Sequence, residues 1–116
     1  MNTLRNKVQL IGNLGANPEI RSFDNGKTVA RFSLATTDSY LDAEGKRISQ
    51  TQWHNLVAWD GLAKVIEKYL TKGSEVAVEG KLTHRSYEDK DGNKKYYTEI
   101  VLHDMVMLHL RNTREE

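Results

Sequence analysis

An all-β fold, a five-stranded Greek-key barrel with one helix between its third and fourth strands, is what this 116-residue sequence predicts. Three observations carry the prediction. Five stretches alternate apolar and polar residues with the period of two that a half-buried strand requires. One stretch alone, 61–71, has helical periodicity. Two Gly-containing dipeptides, Asn25-Gly26 and Asp91-Gly92, stand between strand-like stretches, where a tight turn needs positive φ angles. The order of three strands, a helix and two strands is that of the OB-fold. Its second and third strands, with the loops joining strands one to two and four to five, form its usual binding surface.

The first strand, Val8-Gln9-Leu10-Ile11-Gly12-Asn13-Leu14-Gly15, breaks down at its glycines. Gly12 and Gly15 have the spacing of a phosphate-gripping GxxG loop, but strand-like sequence precedes them and Asn17-Pro18 follows, which favours a bulge or bend. The second strand, 28–37, puts Ala30, Phe32 and Leu34 on one face and Arg31, Ser33 and Ala35 on the other, as a sheet with one buried face requires. A polar connection over 38–47 is centred on Gly45, with Tyr40 at its base and Lys46 and Arg47 on its return arm. It leads to the third strand, 50–60.

In the helix, Leu62, Ile66, Tyr69 and Leu70 form the stripe expected to be buried. Asp60 is placed to cap its start and Gly73 to end it, and Lys68 and Lys72 suit the dipole at its C-terminus. The fourth strand, 74–88, points Val76, Val78, Gly80 and Leu82 one way and Glu79, Lys81, Thr83, Arg85 and Tyr87 the other. After a charged tip, the last strand, 96–108, sets Ile100, Leu102, Val106 and Leu108 in one register. One domain is expected over 1–110, followed by a polar C-terminal end, 111–116.

Composition narrows the function. Hydrophobic content of 38% against 28% charged residues fits a small, surface-rich domain with a single modest core. No apolar run approaches the roughly 20 residues of a membrane helix, and the N-terminus lacks the apolar segment of a signal peptide. A cytoplasmic protein with no membrane partner is therefore expected. With no cysteine there are no disulfides, thiolate metal sites or cysteine nucleophiles. His54, His84, His103 and His109 fall at no recognisable metal spacing, and no GxSxG, HExxH or P-loop pattern occurs. The expectation is a protein that is not an enzyme and takes no metal or cofactor. A net charge of +1, from 17 basic and 16 acidic residues, argues against a strong nonspecific duplex binder. It leaves single-strand binding open, because there stacking carries much of the affinity and only one groove need be positive.

Both tryptophans of the chain lie in the third strand, Gln50-Thr51-Gln52-Trp53-His54-Asn55-Leu56-Val57-Ala58-Trp59-Asp60. Alternation gives Trp53, Asn55, Val57 and Trp59 one face and His54, Leu56 and Ala58 the other. The two rings are either core, the ordinary fate of tryptophan, or platforms on an open face, on which any nucleobase can stack. The OB order favours platforms. It gathers Tyr40, Trp53, Trp59 and Tyr87 on or beside the binding surface, interleaved with Arg21, Arg31, Lys46, Arg47, Lys81 and Arg85; Lys72 joins these as a candidate phosphate contact. Stacking platforms along a positive groove are what a single-strand binder needs.

At these residues the chain resembles the bacterial replicative single-stranded DNA-binding proteins. The matching segments include Asn6-Lys7-Val8 through Gly15, Asn17-Pro18-Glu19, Leu34-Ala35-Thr36, Trp53-His54, Leu62-Ala63, 69–74, Val78-Glu79-Gly80-Lys81-Leu82 and Tyr97-Thr98-Glu99, in order along nearly the whole chain. The resemblance implies sequence-independent binding and protection of single-stranded DNA in replication, recombination and repair. It puts the family's four base-stacking positions on Tyr40, Trp53, Trp59 and Tyr87, with tyrosine replacing the usual tryptophan at 40 and 87 and Trp59 replacing the usual phenylalanine. It also implies a homotetramer, with His54 at a subunit contact; a satisfied buried histidine is the plainer alternative. Family members usually continue through a flexible linker to an acidic tip that recruits replication and repair enzymes. Glu115-Glu116 is too short to be that tip, so partner recruitment is what the resemblance does not carry over. The rival reading is a primosome-type OB-fold assembly protein whose aromatic face serves mainly protein contacts, since aromatic and arginine enrichment marks interfaces too.

Overall fold

The computed structural model describes residues 3–110; the polar end expected at 111–116 lies outside them. The described chain runs through a short 3₁₀ turn (Thr3–Asn6), β1 (Val8–Leu14), β2 (Glu19–Ser22), β3 (Thr28–Leu41), β4 (Arg47–Trp59), α1 (Asp60–Tyr69), β5 (Glu75–Glu88) and β6 (Lys94–His109). The sheet order is β1-β5-β6-β4-β3-β2, and β1 also pairs with β3, which closes a barrel. This is the OB-fold. Six strands form a five-stranded barrel because β1 and β2 are two parts of its first strand, broken over Gly15-Ala16-Asn17-Pro18. Both parts pair with β3, β1 through Leu14↔Leu34 and β2 through Ile20↔Ala30.

Every strand contributes its inward-facing residues to one core. Leu34 and Leu56 come from β3 and β4, Val76 and Val78 from β5, and Ile100 and Leu102 from β6. Helix α1 plugs one end with Ala63 and Ile66, and Leu70 follows as its C-cap. Tyr69, expected in the buried stripe, is exposed, and Ala63 takes its place against the core.

The helix ends also differ from the expectation. Asp60 is the first helical residue, held at φ 53°, and its Oδ1 accepts the Thr28 backbone N–H at 3.3 Å. Its carboxylate therefore ties the helix start to β3 instead of capping α1. Gly73 lies beyond the helix, where its φ of +91° turns the chain into β5 and its N–H donates to the Leu14 carbonyl at 2.9 Å.

The two central hairpins run further than their sequences imply. The β3–β4 ladder continues without a break from Val29↔Trp59 to Leu41↔Arg47, so most of the expected polar connection is strand. Asp42 makes this possible by closing the tip: its Oδ1 accepts the N–H groups of Glu44 and Lys46 at 2.9 and 2.8 Å. Asp89 does the same at the β5–β6 tip for Asp91 and Asn93. Only two parallel residue pairs, Leu56↔Ile100 and Val57↔Val101, join β4 to β6. Beyond them the hairpins diverge as arms around a cleft of about 260 Å³ lined by Trp53, His54, Leu82 and Thr98 among others. The radius of gyration, 16.5 Å, accordingly exceeds the roughly 13 Å of a compact chain of this length.

A β-bulge reverses part of β6. Glu79 pairs with Asp104 but Gly80 with Leu102, leaving His103 as the extra residue. Past the bulge the inward parity changes: Met105 packs on the core, while Val106 and Leu108, expected to continue the Ile100 and Leu102 face, are exposed. On the outer wall here, the Lys7 ammonium bonds Glu79 at 2.8 Å. That bond, with His103 also nearby, holds the Glu79 carboxyl below the usual carboxylate range.

Candidate nucleic-acid interface

The registers define one continuous outer face over four strands. Trp53, Asn55, Val57 and Trp59 on β4 stand opposite Ala35, Ser33, Arg31 and Val29 on β3. Val57 pairs with Val101, and on the same side of β6 and β5 come Glu99 with Thr83, Tyr97 with Arg85 and Lys81 with Val101. Directly opposed residues share a face, so these side chains form a single surface backed by the barrel core.

Trp53 is 62% exposed on this surface, which excludes the core as its place. Its ring rests on the β1–β2 bend, where a Cβ added at Gly15 would collide with ring carbons Cζ3 and Cη2. Glycine at 15 thus gives the ring a flat seat that a Cβ would occupy. Gly15→Val is expected to swing the exposed ring outward, changing the near-UV dichroism and weakening any stacking on Trp53 several-fold. The melting temperature should fall little, because the ring moves into solvent and not into the core. A large thermal loss with an unchanged tryptophan signal would show that the backbone yielded instead.

Trp59 is 37% exposed and stacks on Phe23, with ring centroids 6.4 Å apart and planes at 24°. Phe23 was not among the sequence candidates. The available signal was register: counting back from the Asn25-Gly26 turn puts residues 21 and 23 on the face of Val29 and Trp59. Tyr87, also exposed, meets Tyr97 edge to face at 5.9 Å, 62°. Tyr40 is exposed as well but lies on the other face of the β3–β4 ribbon, opposite Ile48 and in line with Leu34 and His54. The structure therefore brings Trp53, Trp59 and Tyr87 to one face, with Phe23 and Tyr97 beside them, and sets Tyr40 apart near an arm tip.

The expected cations divide similarly. Arg21, Lys81 and Arg47 lie on the aromatic face; Arg47 Nη1 donates to Ser39 Oγ at 3.2 Å, and Arg21 sits opposite Val29. Lys46 is in the β3–β4 tip. Lys72 follows α1, and its backbone N–H donates to Asn17 Oδ1 at 2.8 Å, fastening that loop to the bend beneath Trp53. Arg31 and Arg85 are both paired with Glu99, a residue absent from the candidates: Arg31 Nη1 reaches Oε2 and Arg85 Nε reaches Oε1, each at 2.9 Å. Glu99 is 2% exposed, although it stands on the outer face. His54, half buried on the barrel side, is bonded through Nε2 to Thr36 Oγ1 at 2.9 Å. Among the described residues no group of His, Asp or Glu is placed to hold a metal ion, and no helix is long and apolar enough to cross a membrane.

An OB barrel bearing flat rings and guanidinium groups on one outer wall belongs to the class of modules that take a flexible, π-faced, anionic polymer. The profile of the single-strand binding protein family matches residues 5–108. Over 104 residues the chain is 47% identical to single-stranded DNA-binding protein 1 of Xylella fastidiosa and 49% identical to that of Chlorobaculum tepidum; each alignment covers 89% of this chain. It spans 76% of the first relative's length but 64% of the second's. A solved structure of the Plasmodium falciparum SSB in complex with ssDNA superposes with a TM-score of 0.82 at 38% identity, covering 89% of this chain and 94% of that one. The chain belongs to the single-strand binding protein family.

Proposed function

We propose that this protein binds single-stranded DNA without sequence preference and shields it during replication, recombination and repair. The observation that carries the reading is Trp53, standing 62% exposed on the outer wall of a folded barrel that carries Arg31 and Arg85 on the same face. Bases stack on Trp53, Trp59 and Tyr87, with Tyr40 engaging strand that wraps the β3–β4 arm. Arg21, Arg47 and Lys81 meet phosphates on the same wall, and Lys46 and Lys72 meet them at its margins. The protein acts by binding and not by catalysis, in the cytoplasm. Four copies assemble; exposed Ile11 and Val106, in register with Ala77 on the outer wall of β1, β5 and β6, offer apolar surface for such contacts, and His54 is assigned to a further subunit contact.

Intrinsic tryptophan fluorescence tests the reading, since both tryptophans lie in the proposed site. Titration with oligo-dT is expected to quench it saturably, with a midpoint that rises with salt, while duplex DNA, whose bases are already stacked, quenches little. A folded protein whose emission ignores oligo-dT would overturn the reading and favour a face built for protein contacts.

A further inference from the structure

We propose that Glu99 is a positioning residue, which yokes Arg31 and Arg85 into one clamp for a single phosphate. The inference rests on the single-strand-binding reading and assigns to Glu99 a part that its charge alone would deny it. A carboxylate on a surface meant for a polyanion should repel its ligand. Here, however, the carboxylate is 2% exposed and each oxygen is occupied by a different guanidinium. Within the Arg31–Glu99–Arg85 row two positive charges stand against one negative, which lies beneath the cations; Glu19, opposite Arg31 on β2, is the second carboxylate of the depression and is paired with neither arginine.

Topology explains why a yoke is needed. Arg85 is on β5, Glu99 on the neighbouring β6, and Arg31 two strands further on β3, so the Arg31 side chain must reach across β4. It crosses beside Val57, its directly opposed residue, where Glu19, Arg31, Asn55, Tyr97 and Glu99 line a shallow depression of about 240 Å³. Trp53 and Trp59 are six residues apart on the same strand, about 20 Å. A DNA strand passing from one ring to the other must cross the Arg31–Glu99–Arg85 row. Without the carboxylate, two like charges repel and two long side chains splay into solvent. With it, Arg31 keeps Nε and Nη2, and Arg85 keeps both terminal nitrogens, free and directed from fixed positions. Guanidinium donors suit this role because their planar fork matches phosphate oxygens.

Charge counting and positioning predict opposite results for Glu99→Gln. Removing a negative charge should tighten DNA binding and steepen its salt dependence if Glu99 merely subtracts charge. If Glu99 positions the clamp, Glu99→Gln instead weakens oligo-dT binding about tenfold and lowers the salt slope by about 0.7, the share of one single-strand phosphate. Labelled oligo-dT anisotropy over a salt series, with a thermal melt of each variant, reads both. Arg31→Gln and Arg85→Gln, which leave Glu99 paired with the other arginine, keep the test open should Glu99→Gln not fold. Either single variant and the double variant are expected to lose the same one-phosphate share of slope. Additive slope losses, or tighter binding by Glu99→Gln, would overturn the clamp while leaving the parent reading intact. A wild-type chain that does not bind oligo-dT removes both.

Discussion

Replacing Trp53 by alanine is expected to weaken oligo-dT binding about 5- to 150-fold while moving the melting temperature by no more than about 3 °C. The binding loss is the about 1–3 kcal/mol that one stacked base typically contributes. The thermal figure follows from exposure: an outward ring on a formed strand removes little buried area when truncated, and such changes cost within about 0.5 kcal/mol. Trp59→Ala is the instructive companion. Its ring is less exposed and leans on Phe23, so both binding and stability should fall. Anisotropy titrations and melts on the same samples separate the two effects. Should Trp53→Ala unfold the domain, or bind as the parent does, the platform reading of β4 fails.

Leu34→Ala is expected to produce the largest stability loss, about 2–5 kcal/mol, of the kind seen when a fully buried leucine leaves a cavity. Leu34 has no exposed surface and stands opposite Leu14 in the short β1–β3 seam that closes the barrel. Domains of this size have about 5–15 kcal/mol in all, so the variant forfeits a large share. Urea unfolding should show a lower midpoint with an unchanged slope. A loss under about 1 kcal/mol would mean that the seam collapses around the missing methyl groups.

Much of the barrel was legible in the sequence because its strands alternate cleanly and its turns carry Asn-Gly and Asp-Gly. Leu34, Leu56, Val76 and Ile100 are buried as their periodicity implies. The bulge at His103 was not legible, since an inserted residue leaves local composition unchanged while reversing every later side chain; Val106 looked like core for that reason. Asp60 resembles an N-cap in sequence, but its oxygen is drawn to Thr28, 32 residues away. The aromatic face was read correctly along β4, where one strand's alternation suffices. The OB strand order groups Tyr40 on or beside that face, whereas the unbroken β3–β4 ladder puts it on the other side of the ribbon. Glu99 was invisible because only the sheet order brings residues 31, 85 and 99 together, and no spacing along the chain records that.

The sparse junction of β4 with β6 divides the molecule mechanically. Trp59, at the end of β4 where α1 begins, leans on Phe23, and Trp53, at the root of the cleft, is seated on the β1–β2 bend at Gly15. Past Leu56↔Ile100 and Val57↔Val101, each hairpin is bordered by water and owes its order to its own ladder and to Asp42 or Asp89 at its tip. The tips that carry Tyr40 and Tyr87 can bend without disturbing the core, since little there packs against it. Rigid anvils at the centre and compliant fingers at the rim suit a ligand with no shape of its own. Indifference to sequence would then come from stiffness as much as from chemistry, the centre gripping any flat ring and the rim following whatever course the polymer takes.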